Sequence, residues 1–591
     1  MLVLLLLAQV DPVLKLSVDA RESTRGVIHV REQVPVQPGR IAIYYPKWIP
    51  GQHSASGTIE SVTSLHFTAA GKELTWRRDP VDMYTFWVSI PKGSSLLNIS
   101  FDWLSTPGNN FAPSFARLKF TDLAMSPVGP SQKIFVQPSV TFPTGWKWSG
   151  ALEEKTSSGG RVDFKTVSFR DLLDSPLLAG QYLQRIKLGE IEGAPVRYNV
   201  FADNDSLLPE ATVGALKHIP AQFAALFGSK HFRHYDFLST RSNFGGWDGL
   251  EHHESSEDGT GLQDFQDDPV GFGYLFTHEF FHSWNGKFRR PAGLATPDFL
   301  QPMKGELLWV YEGLTQYYGF VMAARCGLIT KDQLGDVLAG YYLMLDTEPA
   351  RKWRSVADSA VAAQLTYHTP DKWTRSIRRP DFYFEGMLVW LEADCLIRSG
   401  TKGERSLDDF CRAFATGSTS LPVVKPYSAE EVYGTLNHIY PYDWRTFFEK
   451  RLYDVTPRAP KLGIEMAGYE VAFSSDQNWF RNGWVIGSYA FARCGMSVSA
   501  DGEVVDLDLK GNAYVAGLNI GDRLTQINGQ PFSPEDFHSQ LAKSTGVLKL
   551  LVNTSGEVRQ VELKCRGGAI YPHLKRTAKP DILLKIASPR N

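Results

Sequence analysis

Cysteine is scarce in this sequence. Cys326, Cys395, Cys411, Cys494 and Cys565 are spread over 591 positions, odd in number and without a CxxC pair. That distribution implies neither a disulfide framework nor a cysteine zinc site. Charge of one sign is also lacking: the formal net charge is −2, and no long basic or acidic run occurs. Nothing is built to track a phosphate backbone, so nucleic acid is not an expected partner. Long apolar runs are missing as well. "MLVLLLLAQVDP" carries one over residues 2–8, far below the roughly 20 apolar residues of a membrane span. No later segment could cross a bilayer, so no integral membrane segment is expected. Residues 1–11 resemble the core of a secretory signal, cut back and without a basic start. That reading predicts a periplasmic or secreted protein; the plain alternative, a first strand, leaves the cytoplasm open. Repeats and low-complexity tracts are absent.

What is present is ordinary for a soluble globular protein: 43% hydrophobic and 21% charged residues, with length for roughly three to five domains. Residues 12–190 read as β, since alternating stretches such as "LKLSVDA", "GVIHVRE" and "YTFWVSI" are separated by turn-rich pieces. A sandwich-like domain that shapes a cleft but carries no chemistry is expected there. Residues 191–470 are mixed and then mainly helical, with helices expected over 209–226, 269–285, 305–326, 331–345, 382–399 and 428–438. "VTPRAPKLG" then looks like a linker, and residues 480–575 return to short strands and turns.

The chemistry concentrates in "FTHEFFHSWNGKF", residues 276–288. Positions i and i+4 share a helix face, so His278 and His282 can point two imidazoles at one ion. Phe276, Phe280, Phe281 and Trp284 can bury the other sides. Zinc favours such ligands and keeps one position for water in a catalytic site; Glu279 stands where it can take that water's proton. Two histidines at this spacing are more often plain helix residues, so a third ligand is needed. "ELLWVYEGLTQYYG" supplies Glu312, a carboxylate inside an apolar-aromatic run, where an unpaired charge is costly. The 29 residues between His282 and Glu312 leave room for a loop and a returning helix. Gln316, one turn further on, could accept the other N–H of a ligand histidine.

"HEFFHSWNGKFRRP" followed by "LWVYEGLTQYYG" resembles the glycyl aminopeptidase family of gluzincin zinc metallopeptidases. "YYPKWIPGQH" resembles that family's N-terminal W-x-P-G motif. The resemblance implies a thermolysin-like α+β, mainly helical catalytic domain over 191–470, behind an N-terminal β-sandwich-like domain. It implies one zinc ion on His278, His282 and Glu312, and Glu279 as general base. Gln316 stands where members often place aspartate. "GGWDGLEHHESS" contains the family's G-L-E-H segment and makes Glu251 the reader of the substrate's free amine; a surface-loop carboxylate is the plain alternative. His252, His253 and Glu254 beside it could suggest a second metal, but polar support of an edge strand is the better reading. "RRPDFYFEGMLVWLEADCLIR" resembles the family's Y-Y-x-K-G stretch and puts Tyr383 at the oxyanion, with Phe382 and Glu385 departing from the pattern.

"KGNAYVAGLNIGDRLTQINGQPF", residues 510–532, resembles a PDZ domain. It predicts a tight turn at Asn528-Gly529 and a helix from "SPEDFHSQLAKS" beside a peptide groove. "ARCGMSVS" is the nearest match to a carboxylate-holding loop. The partners expected are therefore peptide substrates and a peptide or protein C-terminus at the PDZ-like domain. The leading reading is a zinc aminopeptidase removing small first residues, glycine or alanine, a preference taken from the resemblance alone. The rivals are a zinc endopeptidase and a peptide-binding scaffold with an idle centre.

Overall fold

The computed structural model describes residues 13–590 apart from 106–107, 109, 206, 245–247, 263–271, 367–370 and 379. The expected signal segment, 1–11, lies outside the described residues, as do Gly245 to Trp247. The chain forms two compact units. The first comprises residues up to 224 with 228–303 and 417–426; the second comprises 225–227, 304–416 and 427–591.

The first unit begins with three sheets, of nine, four and three strands. Strands β1 (Val13–Asp19), β2 (Val27–Pro35), β3 (Leu96–Leu104) and β4 (Phe135–Thr141) lie in a nine-stranded sheet in the order β4-β1-β2-β3. β1 runs antiparallel to β2 and parallel to β4, with Val13 opposite Phe135. Every second residue of β1, Leu14, Leu16 and Val18, is buried, which is the period of two that the sequence displays. These side chains share a core with Ile43, Phe86 and Val88 of a four-stranded sheet.

A five-stranded sheet follows: β5 (Leu183–Ile191), β6 (Ala194–Ala202), β7 (Tyr235–Ser242), β8 (Asp248–Glu251) and β9 (Ser255–Gly261). Its order is β5-β6-β7-β9-β8, parallel from β6 through β9, with β8 an antiparallel edge. Helix α1 (Gly273–His282) covers it. Phe276 packs edge-on against Tyr198 and Phe237, and Phe280 lies tilted against Tyr235. Aromatic weight on both surfaces fixes the helix by area as well as ring geometry. The helix expected over 269–285 thus ends earlier, at His282.

The second unit is helical and then β-rich. α2 (Leu308–Tyr311) and α3 (Gly313–Arg325) replace the single helix expected over 305–326, with a break at Glu312. α4 (Lys331–Asp346) is opened by a capping box on Thr330 and Gln333. α5 (Asp381–Gly400) crosses α3 at a glycine pair. A Cβ on Gly313 would lie 2.7 Å from Phe382 O, and one on Gly386 2.8 Å from Gly313 Cα. Backbone meets backbone there, which explains glycine beside Glu312 and three residues after Tyr383. Helix α6 (Gly483–Cys494) is followed by a pair of short strands and a four-stranded antiparallel sheet. Asn528 and Gly529 both take positive φ, as the expected tight turn requires. Helix α7 (Pro534–Lys543) is capped by Ser533. The chain also pairs Cys494 with Cys565. Scarcity and spacing gave no sign of this bridge, because the sequence does not show that α6 and the last long strand meet. "ARCGMSVS" straddles that helix end, with Gly495 in the left-handed region.

Among the described residues, no helix is long and apolar enough to cross a membrane.

Candidate metal centre

The i, i+4 spacing on α1 does what it should. His278 and His282 are buried, and their Nε2 atoms lie 3.2 Å apart. Two ligands about 2.05 Å from a tetrahedral zinc would sit about 3.3 Å apart, so the imidazoles already have the separation of neighbouring metal ligands. Nδ1 of His282 meets the backbone oxygen of Asn285 at 2.9 Å. With Nδ1–H donating there, Nε2 keeps its lone pair for an ion. Asn285 O therefore takes the place expected for Gln316 at His282; Gln316 lies in the second unit and donates to Tyr341 Oη at 3.5 Å. Trp284 anchors the end of α1, donating Nε1–H to Ser229 O at 2.9 Å and stacking on Phe223.

Glu279 and Glu251 join the same pocket. Ligand atoms of Glu251, Glu279 and His282 all lie within 4.8 Å of one another, and all three residues are buried. The edge strand presents its main chain to α1: a Cβ at Gly249 would fall 2.2 Å from Glu279 Oε1. Gly51, of the "WIPG" motif, has φ +88°, and a Cβ there would lie 2.7 Å from Glu251 Oε2. The N-terminal segment, expected to carry no chemistry, thus forms a wall of the site at Gly51.

It contributes Asp174 too. Lys287, fully buried, donates to Asp174 Oδ1 at 2.9 Å and stands 3.9 Å from Glu251 Oε1. Burial opposes ionisation of Asp174, but Lys287, His252 and His253 together hold its carboxyl well below the usual range. Sequence reasoning missed both residues. Lys287 sits in the basic stretch before proline, a signal that could have been weighed; Asp174 has no local signal.

The supporting role expected of His252, His253 and Glu254 fits the contacts. His252 bridges Asp174 at 3.3 Å and Glu257 at 3.1 Å. Burial lowers the basicity of His252, and these two carboxylates more than restore it. His253 meets Val423 O, and burial with nearby Arg290 and Lys287 pushes its pKa down to about 3. Glu254 is held by Arg233.

Glu312 and Tyr383 belong to the second unit. Glu312 is buried at the break between α2 and α3 and gives its main-chain oxygen to Gln316 N at 2.7 Å. Tyr383 is half-buried in the first turn of α5. Glu385, which departs from the family pattern, is held by Arg351 and Arg378.

Residues 15–181 match the peptidase M61 N-terminal domain, and residues 272–389 match the M61 glycyl aminopeptidase family. The chain is a metallo-aminopeptidase. No curated relative matches it. Among solved structures it is similar to an aminopeptidase N family protein from Idiomarina loihiensis. The TM-score is 0.81 at 17% identity, covering 98% of this chain and 100% of that one. At that identity the likeness speaks for the fold, and it covers the metallo-aminopeptidase end to end. A mutant M1 zinc metallopeptidase from Deinococcus radiodurans aligns over 76% of this chain and 94% of its own, at 14% identity and a TM-score of 0.46.

Proposed function

We propose that this metallo-aminopeptidase uses one zinc ion, held by His278, His282 and Glu312, to release small N-terminal residues, glycine or alanine, from peptides. The observation that carries the reading is the 3.2 Å approach of the two Nε2 atoms beside two buried carboxylates. Imidazole nitrogen with carboxylate oxygen is the donor set zinc takes in catalytic sites. Zinc, when bound, supplies Lewis acidity and a water whose pKa falls to about 7. Glu279 accepts that water's proton and passes it to the leaving amine. Glu251 accepts hydrogen bonds from the substrate's ammonium, which is why a free N-terminus is required. Tyr383 donates its phenol proton to the developing oxyanion. Lys287 and Asp174 support Glu251: the lysine sets a positive charge 3.9 Å from it, and Asp174 holds the lysine back from the substrate position. The "G-L-E-H" and "WIPG" glycines let the main chain close around these carboxylates.

The divisions at 12–190, 191–470 and 480–575 serve as working domain limits, with 480–575 a PDZ-like module offering a groove to a peptide C-terminus. The disulfide between Cys494 and Cys565 supports a periplasmic or secreted setting, where such bridges persist.

A peptide with free N-terminal glycine, compared with its N-acetylated form, tests the central claim. Only the free form should be cut; equal cleavage of the blocked peptide means an endopeptidase. Glu279→Gln should lower kcat roughly 10²- to 10⁴-fold with zinc content unchanged by elemental analysis. Glu312→Gln should instead lower the zinc content, and a full complement in that variant would remove Glu312 from the ligand set.

A further inference from the structure

A cavity of about 230 Å³ lies within the first unit, and neither Glu279 nor Glu251 lines it. Leu250 and His252, which flank Glu251 in sequence, line it. Most of the charges in its wall are compensated within the protein. Asp174 has Lys287, Glu257 has Arg117 and Lys119, and Arg170 has Asp171.

Three charged groups have no ion-pair partner among the described residues. Arg290 is 9% exposed, donates only Nε–H to Gly286 O, and forms no ion pair among the described residues. Asp298, 8% exposed, accepts the backbone N–H groups of Leu300 and Gln301 at 3.0 and 3.1 Å and also has no ion-pair partner among them. Asp122, equally buried, accepts a hydroxyl bond from Thr58 at 2.9 Å and likewise lacks an ion pair. A buried charge without a counter-charge is costly, and one cation and two anions line this one cavity.

A simple anion would satisfy Arg290 and worsen the two aspartates. A metal cation would do the reverse. A small zwitterion satisfies both signs: its carboxylate matches the planar guanidinium fork, and its ammonium matches the aspartates. The volume equals that of about eight waters, which suits a small amino acid and is below the usual drug-sized pocket. We propose that this cavity is a second binding site, for a free α-amino acid with a small side chain, with its carboxylate on Arg290 and its ammonium on Asp298 and Asp122. The site stands on the charges of the cavity, independently of the zinc ligands, yet its ligand is of the class that aminopeptidase action releases.

Calorimetric titration of the full-length metal-loaded protein tests it, with glycine, L-alanine, acetate and methylamine as probes. The Glu251→Gln variant separates this cavity from product binding at the metal centre. Glycine is expected to bind both the wild type and Glu251→Gln. Arg290→Gln and Asp298→Asn should each weaken glycine binding about tenfold or more, the worth of a charged hydrogen bond. Acetate and methylamine should bind the wild type at least about tenfold more weakly than glycine, since each leaves one sign unpaired. Loss of glycine binding in Glu251→Gln would assign the amino acid to the catalytic centre and overturn the proposal. So would undiminished binding in the two cavity variants, or acetate binding as tightly as glycine. Should Arg290→Gln fail to give a native circular-dichroism spectrum, Asp298→Asn carries the same comparison.

Discussion

Gly249 leaves no room for a side chain. With Glu279 Oε1 2.2 Å from where a Cβ would stand, Gly249→Ala must move the carboxylate proposed as the general base. A displacement of about 1 Å at a reacting group costs about 10²-fold in rate, so kcat should fall by about that factor with zinc content and melting temperature little changed. Steady-state kinetics beside elemental analysis checks this. Another residue-scale effect lies far from the site. Glu32 is fully buried, accepts Met125 N–H at 2.7 Å, and burial pushes its pKa up to about 8. Its folded pKa lies above the ordinary 4.5, so the folded state holds a proton that the unfolded chain gives up. The stability linked to that proton is complete below about pH 4.5 and drains away as pH rises toward about 8. Glu32→Gln keeps the oxygen that Met125 uses and has no charge to bury. It should flatten this decline, gaining roughly 4 to 5 kcal/mol at pH 8 to 9, read from denaturant unfolding at several pH values. Equal pH dependence in the two proteins would show that Glu32 is ionised when folded.

At the scale of elements, the site depends on close approach between backbones. α3 and α5 touch through Gly313 and Gly386, where an added methyl would meet main-chain atoms at 2.7 to 3.0 Å. Gly313→Ala should push the two helices apart, costing about 1–3 kcal/mol and displacing the flanking residues Glu312 and Tyr383. A lower melting temperature together with a lower zinc content is expected; a melting temperature equal to wild type would mean that the crossing tolerates the methyl. Local pattern gave the existence of α1, α4 and α5, since apolar periodicity and caps are written in neighbouring residues. It missed the break at Glu312, because a carboxylate in the middle of an apolar helical run has no local breaking signal; only its surroundings decide how the turn is made. The 209–226 segment likewise divides into Glu210–Leu216 and Ile219–Phe227, with the proline near the start of the second helix.

For the whole molecule, the disulfide closes a loop with a sequence separation of 71. Chain-entropy reasoning gives such a loop about 4 kcal/mol, so reduction should lower the unfolding midpoint of the C-terminal region. Calorimetry with and without a reducing agent checks this, and superimposable traces would show that the bridge does not form in solution. The sequence by itself determined the catalytic vocabulary: two histidines one helical turn apart, the glutamate between them, and the flanking pattern that resembles the glycyl aminopeptidases. Those features are local, fixed by helix geometry and readable at short range. Only the tertiary structure decided that Gly51 and Asp174, from the β-rich N-terminal part, stand beside Glu251 and Lys287, that Asn285 O orients His282, and that Cys494 meets Cys565. Each joins groups far apart in the chain or made of main-chain atoms, and neither distance in space nor the direction of a carbonyl is written in residue order.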